Sequence, residues 1–330
     1  MRLDVRSVTR RFAAPVTTAH GVLHERELIE VEIEDGDGVV GRGEAAPLGS
    51  YDGVTVARVQ AALEAYRPLE PAGTLEACRA RDPLPQALAA IDIALLDIAA
   101  QRTGLPLSAM LGTTAAAVVE VNASIGALEP EAAADAAARA AASGYRTIKL
   151  KVGTGDDLAR IAAVRDAVGG AVALRLDANG AWSVVEAARI LDAAGPIELV
   201  EEPVRGLVAM AELRSRVAVR IALDESADEP GALASGAAGA VCLKLSRCGG
   251  IGGVLDAATR ARAAGVEPYL ASTYDGPRGI AAAVHAAAAL APVPACGLAT
   301  LELFDAAAPP ELAVRDGRIT VPPGPGLGVA

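Results

Sequence analysis

Five short segments between Tyr145 and Gly250 share one pattern, in which an apolar run ends in lysine or carboxylate side chains. Their key charged residues, 26, 24, 23 and 20 positions apart in turn, are Lys151, Asp177, Glu201, Asp224 and Lys244. Ala-rich segments with helical character, such as 156–168 and 183–194, fill the intervals. This period accommodates one strand, one helix and two short loops. It therefore predicts repeating β/α units, arranged as a barrel or as an open parallel sheet.

The carboxyl ends of the predicted strands bring three carboxylates together. In a barrel these ends meet at one face, where the chemistry lies. Asp177, Glu201 and Asp224 would converge there, repel one another and raise one another's pKa values. A divalent cation relieves that repulsion, and all-oxygen ligands suit a hard ion such as Mg²⁺. The sequence thus predicts one Mg²⁺ site held by these three residues.

Three lysines complete the predicted site. Lys149 and Lys151 are two positions apart on one strand, so both side chains project to the same face. Two inward lysines have a role if one pairs with a carboxylate and the other is a base whose pKa is lowered by its neighbours. Lys244, four strands further on, faces them across the mouth. The set predicts removal of the proton α to a substrate carboxylate, with the metal stabilising the enediolate.

Two polar residues beside these groups are predicted to support them. Asn179 is two positions after Asp177, and Glu225 directly follows Asp224. We expect their side chains to orient the metal ligands and the lysines.

The flanking segments predict a smaller α+β module before the barrel. Residues 1–47 are predicted to form three strands, with a hairpin turn at 35–38, and residues 55–112 to form helices, most clearly over 85–103. The first and eighth barrel strands are predicted over 118–124 and 295–301. The segment 316–323 is predicted to be a hairpin or an edge strand.

Composition excludes several partners. The formal net charge of −11 argues against nucleic acid, because a surface that follows phosphates needs clustered Lys and Arg. The N-terminus lacks a signal-peptide core, and prolines interrupt the longest uncharged stretch, residues 279–301, which predicts no membrane span. We expect a cytoplasmic protein. Its four cysteines lack paired metal spacing and are expected to be free thiols.

Taken together, these residues resemble the enolase superfamily, in its muconate-lactonizing branch. The resemblance rests on the Lys-x-Lys, Asp-x-Asn, Glu-Glu-Pro and Asp-Glu-Ser segments, on Lys244, and on GEAAP at 43–47. It implies an α/β fold, a (β/α)₇β modified TIM barrel over 113–305 with an N-terminal α+β capping domain over 1–112. The tail, 306–330, would return to the cap. Segments 13–25 and 45–54 would be specificity loops that close over the mouth, and the substrate-binding residues would be His20, Tyr51, Ser272 and Thr273.

The resemblance also implies the reaction class, acting on a small-molecule carboxylate. The segment ACGLAT at 295–300 resembles o-succinylbenzoate synthases, which favours dehydration in the menaquinone pathway. A dipeptide epimerase, an N-acylamino acid racemase and a muconate-type cycloisomerase are the alternatives. The Asp-x-Asp associated with dipeptide epimerases at the eighth strand is missing, which weakens the epimerase interpretation. A binding protein that retains the metal without turnover is the non-enzymatic alternative. A homo-oligomer is compatible with all of them.

Overall fold

The computed structural model describes residues 2–19, 21–69, 74–112 and 114–329. The first part of the chain is an antiparallel sheet of three strands, β1 (Arg2–Thr18), β2 (Gly21–Glu34) and β3 (Val40–Ala45), in the order β1-β2-β3. The predicted turn joins β2 to β3, where Asp35 Oδ1 accepts hydrogen bonds from the backbone N–H groups of Asp37 and Val39. The segment 13–25, predicted as a loop, is instead mostly strand, because β-branched Val and Thr residues extend the hairpin to its tip.

Helices follow this sheet in the described part of the chain, and α2 and α4 pack against it. They are α1 (Gly49–Asp52), α2 (Val56–Tyr66), α3 (Leu75–Arg81), α4 (Pro85–Thr103) and α5 (Leu107–Leu111). Helix α4 packs directly on β3, and this contact needs glycine: a Cβ on Gly43 would lie 1.9 Å from the carbonyl oxygen of Ala90. Glycine at this position therefore allows α4 to pack close to β3 in the cap core.

A parallel sheet of seven strands follows. The chain first forms a short strand, β4 (Val118–Glu120), outside this sheet. The seven strands, in spatial order from β5 to β11, are β5 (Ala123–Ile125), β6 (Thr147–Lys151), β7 (Ala173–Asp177), β8 (Leu199–Glu201), β9 (Arg220–Leu223), β10 (Ala240–Leu243) and β11 (Glu267–Leu270). Each strand is short and buried, as expected for a parallel sheet covered by helices.

Helices follow most of these strands, whereas β9 and β10 are connected through 3₁₀ turns. The helices are α6 (Pro130–Ala142), α7 (Asp157–Val168), α8 (Val184–Ala193), α9 (Leu207–Arg214), α10 (Leu245–Cys248), α11 (Ile251–Ala263) and α12 (Pro277–Ala289). Two of them begin at the predicted residues because polar side chains cap them. Asp156 accepts a hydrogen bond from Ala159 N and Ser183 accepts one from Glu186 N.

The segment 296–297 closes the ring. Cys296 bridges to Val121 and Gly297 bridges to Ala271, both in parallel orientation, which joins β11 back to the start of the sheet. The predicted eighth strand over 295–301 is therefore shortened to this pair of bridges, and a 3₁₀ turn, Ala299–Leu303, follows. The predicted first strand is likewise divided into β4 and β5. The architecture is the predicted barrel with a capping domain.

The tail forms a hairpin and then contacts the cap. Strands β12 (Val314–Arg315) and β13 (Arg318–Thr320) are antiparallel, and β13 pairs with β4. Beyond them, Gly326 exchanges backbone hydrogen bonds with Leu105 and Leu107, and the backbone N–H of Leu327 donates to Asp97 Oδ1 at 2.8 Å. Gly326 and Leu327 thus bind the tail to α5 and α4.

A buried polar joint connects the cap to the barrel. Glu44, at the end of β3, accepts a hydrogen bond from Gly276 N at 2.6 Å, and Gly276 precedes α12. A Cβ on Gly276 or Gly279 would lie 2.5 or 2.7 Å from a carboxylate oxygen of Glu44, so the two glycines form a notch for this side chain. Buried Arg26 donates to the carbonyl oxygens of Pro47 and Thr273. The joint thus fixes the cap beside the loop that follows β11.

Candidate active site

The predicted strand-end residues lie together at one mouth. Lys151 pairs in register with Asp177, and Asp177 with Glu201, so the three are neighbours on β6, β7 and β8. Asp224 directly follows β9, and Lys244 directly follows β10. All five line one cavity of about 330 Å³. The spacing of the β/α units therefore brings the predicted chemistry to a single place.

All three carboxylates are buried, and those of Glu201 and Asp224 lie close enough to share a divalent cation. Glu201 is 1% exposed and Asp224 is 3% exposed. Oxygens of these two residues and the sulfur of Cys242 lie within 4.8 Å of one another. Burial raises the pKa of Glu201, because the nearby Lys149 and Lys244 ammonium groups offset only part of its effect. Buried carboxylate oxygens whose negative charge is only partly neutralised are suitable ligands for Mg²⁺.

Lys149 lies between two of these acids. Its Nζ is 3.0 Å from Asp177 Oδ2 and 2.5 Å from Glu201 Oε1. Burial alone would lower the pKa of Lys149, but the two carboxylates outweigh burial and raise it well above its ordinary value. Tyr269 donates a hydrogen bond from its hydroxyl to the other oxygen, Glu201 Oε2, at 2.5 Å. Lys149 is thus a fixed cation behind the acids.

Lys151 differs from Lys149 although both project from β6 into the cavity. Its side chain makes no hydrogen bond or ion pair within the described ranges of the chain. Burial lowers its pKa, and the neighbouring Lys149 ammonium lowers it further, while Asp177 acts in the opposite direction. A lowered pKa is the property that the predicted role of Lys151 as a general base requires.

Lys244 approaches the cavity from the opposite side of the ring. It is 7% exposed, and its ammonium donates to Asp224 Oδ1. The Asp224 carboxylate outweighs the effect of burial and raises the pKa of Lys244 well above its ordinary value. Burial would raise the pKa of Asp224, but Lys244 and Lys149 outweigh it and lower the value to about 2. Lys244 is therefore held as a cation.

The predicted supporting pair makes a direct contact. Asn179 Nδ2 donates to Glu225 Oε1 at 2.7 Å, and Asn179 has a left-handed backbone with φ 44°. Asn179 Oδ1 and Glu225 Oε2 are buried without a hydrogen-bond partner among the described residues. Both atoms are free to accept a hydrogen bond from a bound group.

The predicted substrate-binding residues have different positions. Ser272 lines the cavity, and its hydroxyl is 2.7 Å from that of Thr300. Thr273 also lines the cavity, but its hydroxyl donates to Ala46 O, in the cap, or to Asp275 Oδ1. Tyr51 lines the cavity, but its hydroxyl contacts Asp224 and Lys244. His20 lies outside the described residues.

Two supporting residues were not predicted. Glu202, next to Glu201, accepts hydrogen bonds from Asp224 N at 2.9 Å and from the Ser226 hydroxyl, so it fixes the turn that presents Asp224. Arg247 donates to the Tyr51 hydroxyl and to Asp224 O. The Glu-Glu doublet was the available signal for Glu202. Arg247 has no such signal, because its partners are distant in sequence.

The chain contains three lysines, and all three lie in this site. The other walls of the cavity are mainly apolar or hydroxyl-bearing. They are formed by the tip of the β1–β2 hairpin, by Leu48, by the loop 125–128 and by Leu303. Charge is thus concentrated at the strand ends. Within the described residues, no helix is both long and apolar enough to span a membrane.

Comparison with known proteins places these features in context. The family profile described as "Enolase C-terminal domain-like" matches residues 131–330. The profile described as "Mandelate racemase / muconate lactonizing enzyme, N-terminal domain" matches residues 1–112.

Individual relatives carry several names. The hydrophobic dipeptide epimerase of Enterococcus faecalis is 34% identical over 307 residues, which cover 87% of this chain and 86% of the relative. The o-succinylbenzoate synthase of Thermobifida fusca is 41% identical over 200 residues, covering 57% and 61%. A crystal structure of the E. faecalis dipeptide epimerase complexed with Mg and L-Leu-L-Tyr has a TM-score of 0.91 at 32% identity, covering 99% and 98%.

Proposed function

Since the chain belongs to the enolase superfamily, in the branch of mandelate racemase and muconate lactonizing enzyme, we propose that it removes the proton α to the carboxylate of a small substrate. The relatives are isomerases and lyases, and this chain is an enzyme of the same kind. The observation that carries the proposal is the asymmetry of the lysines. Among the described residues Lys151 has no side-chain partner and its pKa is lowered, whereas Lys244 is a paired cation facing it across the cavity.

Asp177, Glu201 and Asp224 are proposed to hold one Mg²⁺. Support comes from their burial, from their oxygen donors and from the incompletely compensated charge at Glu201. A structural neighbour is complexed with Mg. When bound, the ion would neutralise the substrate carboxylate and the negative charge that develops when the α-proton leaves.

Lys151 is proposed as the general base. It needs no change of partner to accept a proton, and its lowered pKa gives a larger neutral fraction near neutral pH. Burial keeps that pKa low, and Lys149, as a fixed cation on the same face of β6, contributes to the lowering. Asn179 and Glu225 are proposed to orient the strand-end groups. Ser272, with its hydroxyl at the cavity, is the best-placed of the predicted substrate-binding residues.

For the overall reaction we favour dehydration of the o-succinylbenzoate synthase type. One base and one fixed cation are sufficient for it. Lys151 takes the α-proton, a carbon–carbon double bond forms as the carbon–hydroxyl bond breaks, and Lys151 returns the proton to the departing hydroxyl as water. Lys244, kept cationic by Asp224, faces the negative charge that develops on the substrate.

A 1,1-proton transfer, as in a dipeptide epimerase or an N-acylamino acid racemase, is the second candidate. Two observations favour it. Lys151 and Lys244 lie on strands four places apart around the ring, on opposite sides of the cavity. The E. faecalis epimerase is also similar over most of both chains. This reaction requires Lys244 to release its proton and act as the second base.

Isotope exchange separates the candidates. The enzyme is incubated with Mg²⁺ in D₂O, with the menaquinone precursor and separately with dipeptide and N-acylamino acid libraries, and the products are followed by mass spectrometry. Loss of water from the precursor supports dehydration. Deuterium incorporation with inversion supports the epimerase or the racemase. Absence of Mg²⁺-dependent exchange or product with every substrate contradicts the proposed function.

A further inference from the structure

Tyr51 belongs to the cap but contacts the catalytic groups of the barrel. Its hydroxyl donates to Asp224 Oδ1 at 2.7 Å and accepts from Lys244 Nζ at 2.9 Å and from Arg247 Nη1 at 2.8 Å. A phenol oxygen has one proton and two lone pairs, so these three partners use its hydrogen-bonding capacity. The hydroxyl orientation is therefore fixed by three groups of the barrel.

The ring of Tyr51 adds a second interaction. Lys244 Nζ lies 4.7 Å from the ring centroid, and the guanidinium carbon of Arg247 lies 5.5 Å from it. Both separations are within the range of cation–π attraction. The same side chain therefore attracts both cations through its ring and binds both through its hydroxyl.

Arg247 is anchored independently of Tyr51. Its guanidinium donates to Asp224 O at 2.7 Å, to Glu225 O at 3.0 Å and to Asp228 Oδ2 at 2.6 Å. The planar group has several donors in fixed directions, which a lysine could not reproduce. Arg247 is consequently a rigid support for the phenol.

The cap segment that carries Tyr51 is anchored at its other end. This segment, Leu48–Gly53, contains the short helix α1. Asp52 Oδ2 accepts a hydrogen bond from Gln86 Nε2 at 3.0 Å, and Asp52 Oδ1 accepts one from Val54 N at 2.9 Å. The segment is therefore bound to α4 through Asp52 and to the barrel through Tyr51.

We propose that Tyr51 is a positioning residue for Lys244, supported by Arg247, so that seating of the cap segment on the barrel sets the direction of the Lys244 ammonium. The cap would then complete the catalytic arrangement as well as enclose the substrate. Withdrawal of the segment would remove the hydrogen bonds of the Tyr51 hydroxyl with Asp224, Lys244 and Arg247 at once. This inference rests on the proposed role of Lys244 in the reaction.

The test uses Tyr51→Phe, which removes the hydroxyl and keeps the ring. Hydrogen bonds to charged groups are strong enough that we expect kcat to fall roughly 10- to 100-fold. KM and the Mg²⁺ concentration for half-maximal activity should change by less than about 3-fold, because substrate and metal ligands remain. Tyr66→Phe is the matched control: it removes the hydroxyl of another buried cap tyrosine, which donates to Asp82 O. It should leave kcat unchanged.

A spectroscopic readout tests the positioning without activity. Protein labelled with ¹³C at lysine Cε has three labelled sites, all in the active site, and Lys151→Arg assists their assignment. In the wild type, a fixed Lys244 should give two distinct Hε signals. Tyr51→Phe and Arg247→Lys should each bring these signals together, while Tyr66→Phe should not.

The outcomes separate the inference from the proposed function. If Tyr51→Phe raises the Mg²⁺ requirement but leaves kcat and the Lys244 signals unchanged, Tyr51 acts on Asp224 alone and the inference is wrong. Unchanged Lys244 signals in both variants also overturn it. If the wild type turns over no carboxylate, the proposed function fails, and the spectra still decide whether Tyr51 positions Lys244.

Discussion

Replacing Glu44 by glutamine should remove a large pH dependence from the stability of the protein. Glu44 is 3% exposed, in the notch formed by Gly276 and Gly279. Burial, assisted by the nearby Asp275 carboxylate, raises its pKa to about 8, although the Gly276 N–H and Arg10 act in the opposite direction. Glu30, on β2, also raises it. Glu44 is therefore predominantly protonated in the folded protein at neutral pH.

The magnitude follows from proton linkage. The folded protein retains a proton that the unfolded chain releases above the ordinary glutamate pKa of 4.5. Between pH 4.5 and about 8 the free energy of unfolding therefore falls by about 1.4 kcal/mol per pH unit, or about 5 kcal/mol in total. The stabilising contribution is fully present below this window, is lost as the pH rises through it, and is constant above it.

Denaturant unfolding at one-unit steps from about pH 5 to about pH 9 measures this effect. Glu44→Gln keeps a neutral side chain of the same shape that can still accept from Gly276 N. The difference in unfolding free energy between variant and wild type should grow in favour of the variant as the pH rises. Glu25→Gln, at an exposed position on β2, is the matched control. A difference for Glu44→Gln that varies no more with pH than that of the control would refute the raised pKa.

Three further predictions concern the site. Asp224→Asn should raise the Mg²⁺ concentration needed for half-maximal activity and sharply lower turnover, because an anionic ligand is lost; full activity in excess chelator would contradict the metal assignment. Lys151→Ala should lower turnover by about 10²–10⁴-fold in steady-state assays, as expected for loss of a general base, and near wild-type turnover would identify a different base. Exchanging segments 13–25 and 45–54, which include His20, for those of a relative while keeping Tyr51 should change relative kcat/KM among substrates more than Mg²⁺ affinity. A larger change in Mg²⁺ affinity would contradict this assignment.

The barrel repeat was predictable because it is encoded locally. Each apolar run and its terminal charge lie within one unit of about 20–26 residues, and in two of these units a capped helix follows. The hydrophobic pattern of α4 likewise predicted its bounds, 85–103. Once these strand–helix units are formed, parallel pairing of the strands determines which strand-end residues become neighbours.

The parts that the sequence did not predict depend on long-range contacts. Tyr51 and Lys244 are separated by 193 residues, and Arg247 reaches Tyr51 over 196. No local pattern reports such an approach. The eighth strand was predicted too long because its apolar residues pack against the barrel as a 3₁₀ turn, and only Cys296 and Gly297 find neighbouring strand partners. Apolar composition alone does not distinguish these two forms.

The contact between the tail and α4 has a consequence for biosynthesis. Asp97 is 3% exposed, and its carboxylate accepts hydrogen bonds from the backbone N–H groups of Arg42 and Leu327. On the ribosome, Arg42 and α4 are complete long before Leu327 is made. At about 5–20 residues per second, the interval corresponds to roughly 10–50 s. During that time a nascent cap would contain a carboxylate lacking one of its native donors. The cap is therefore encoded first but reaches its native hydrogen bonding only when translation has reached residue 327.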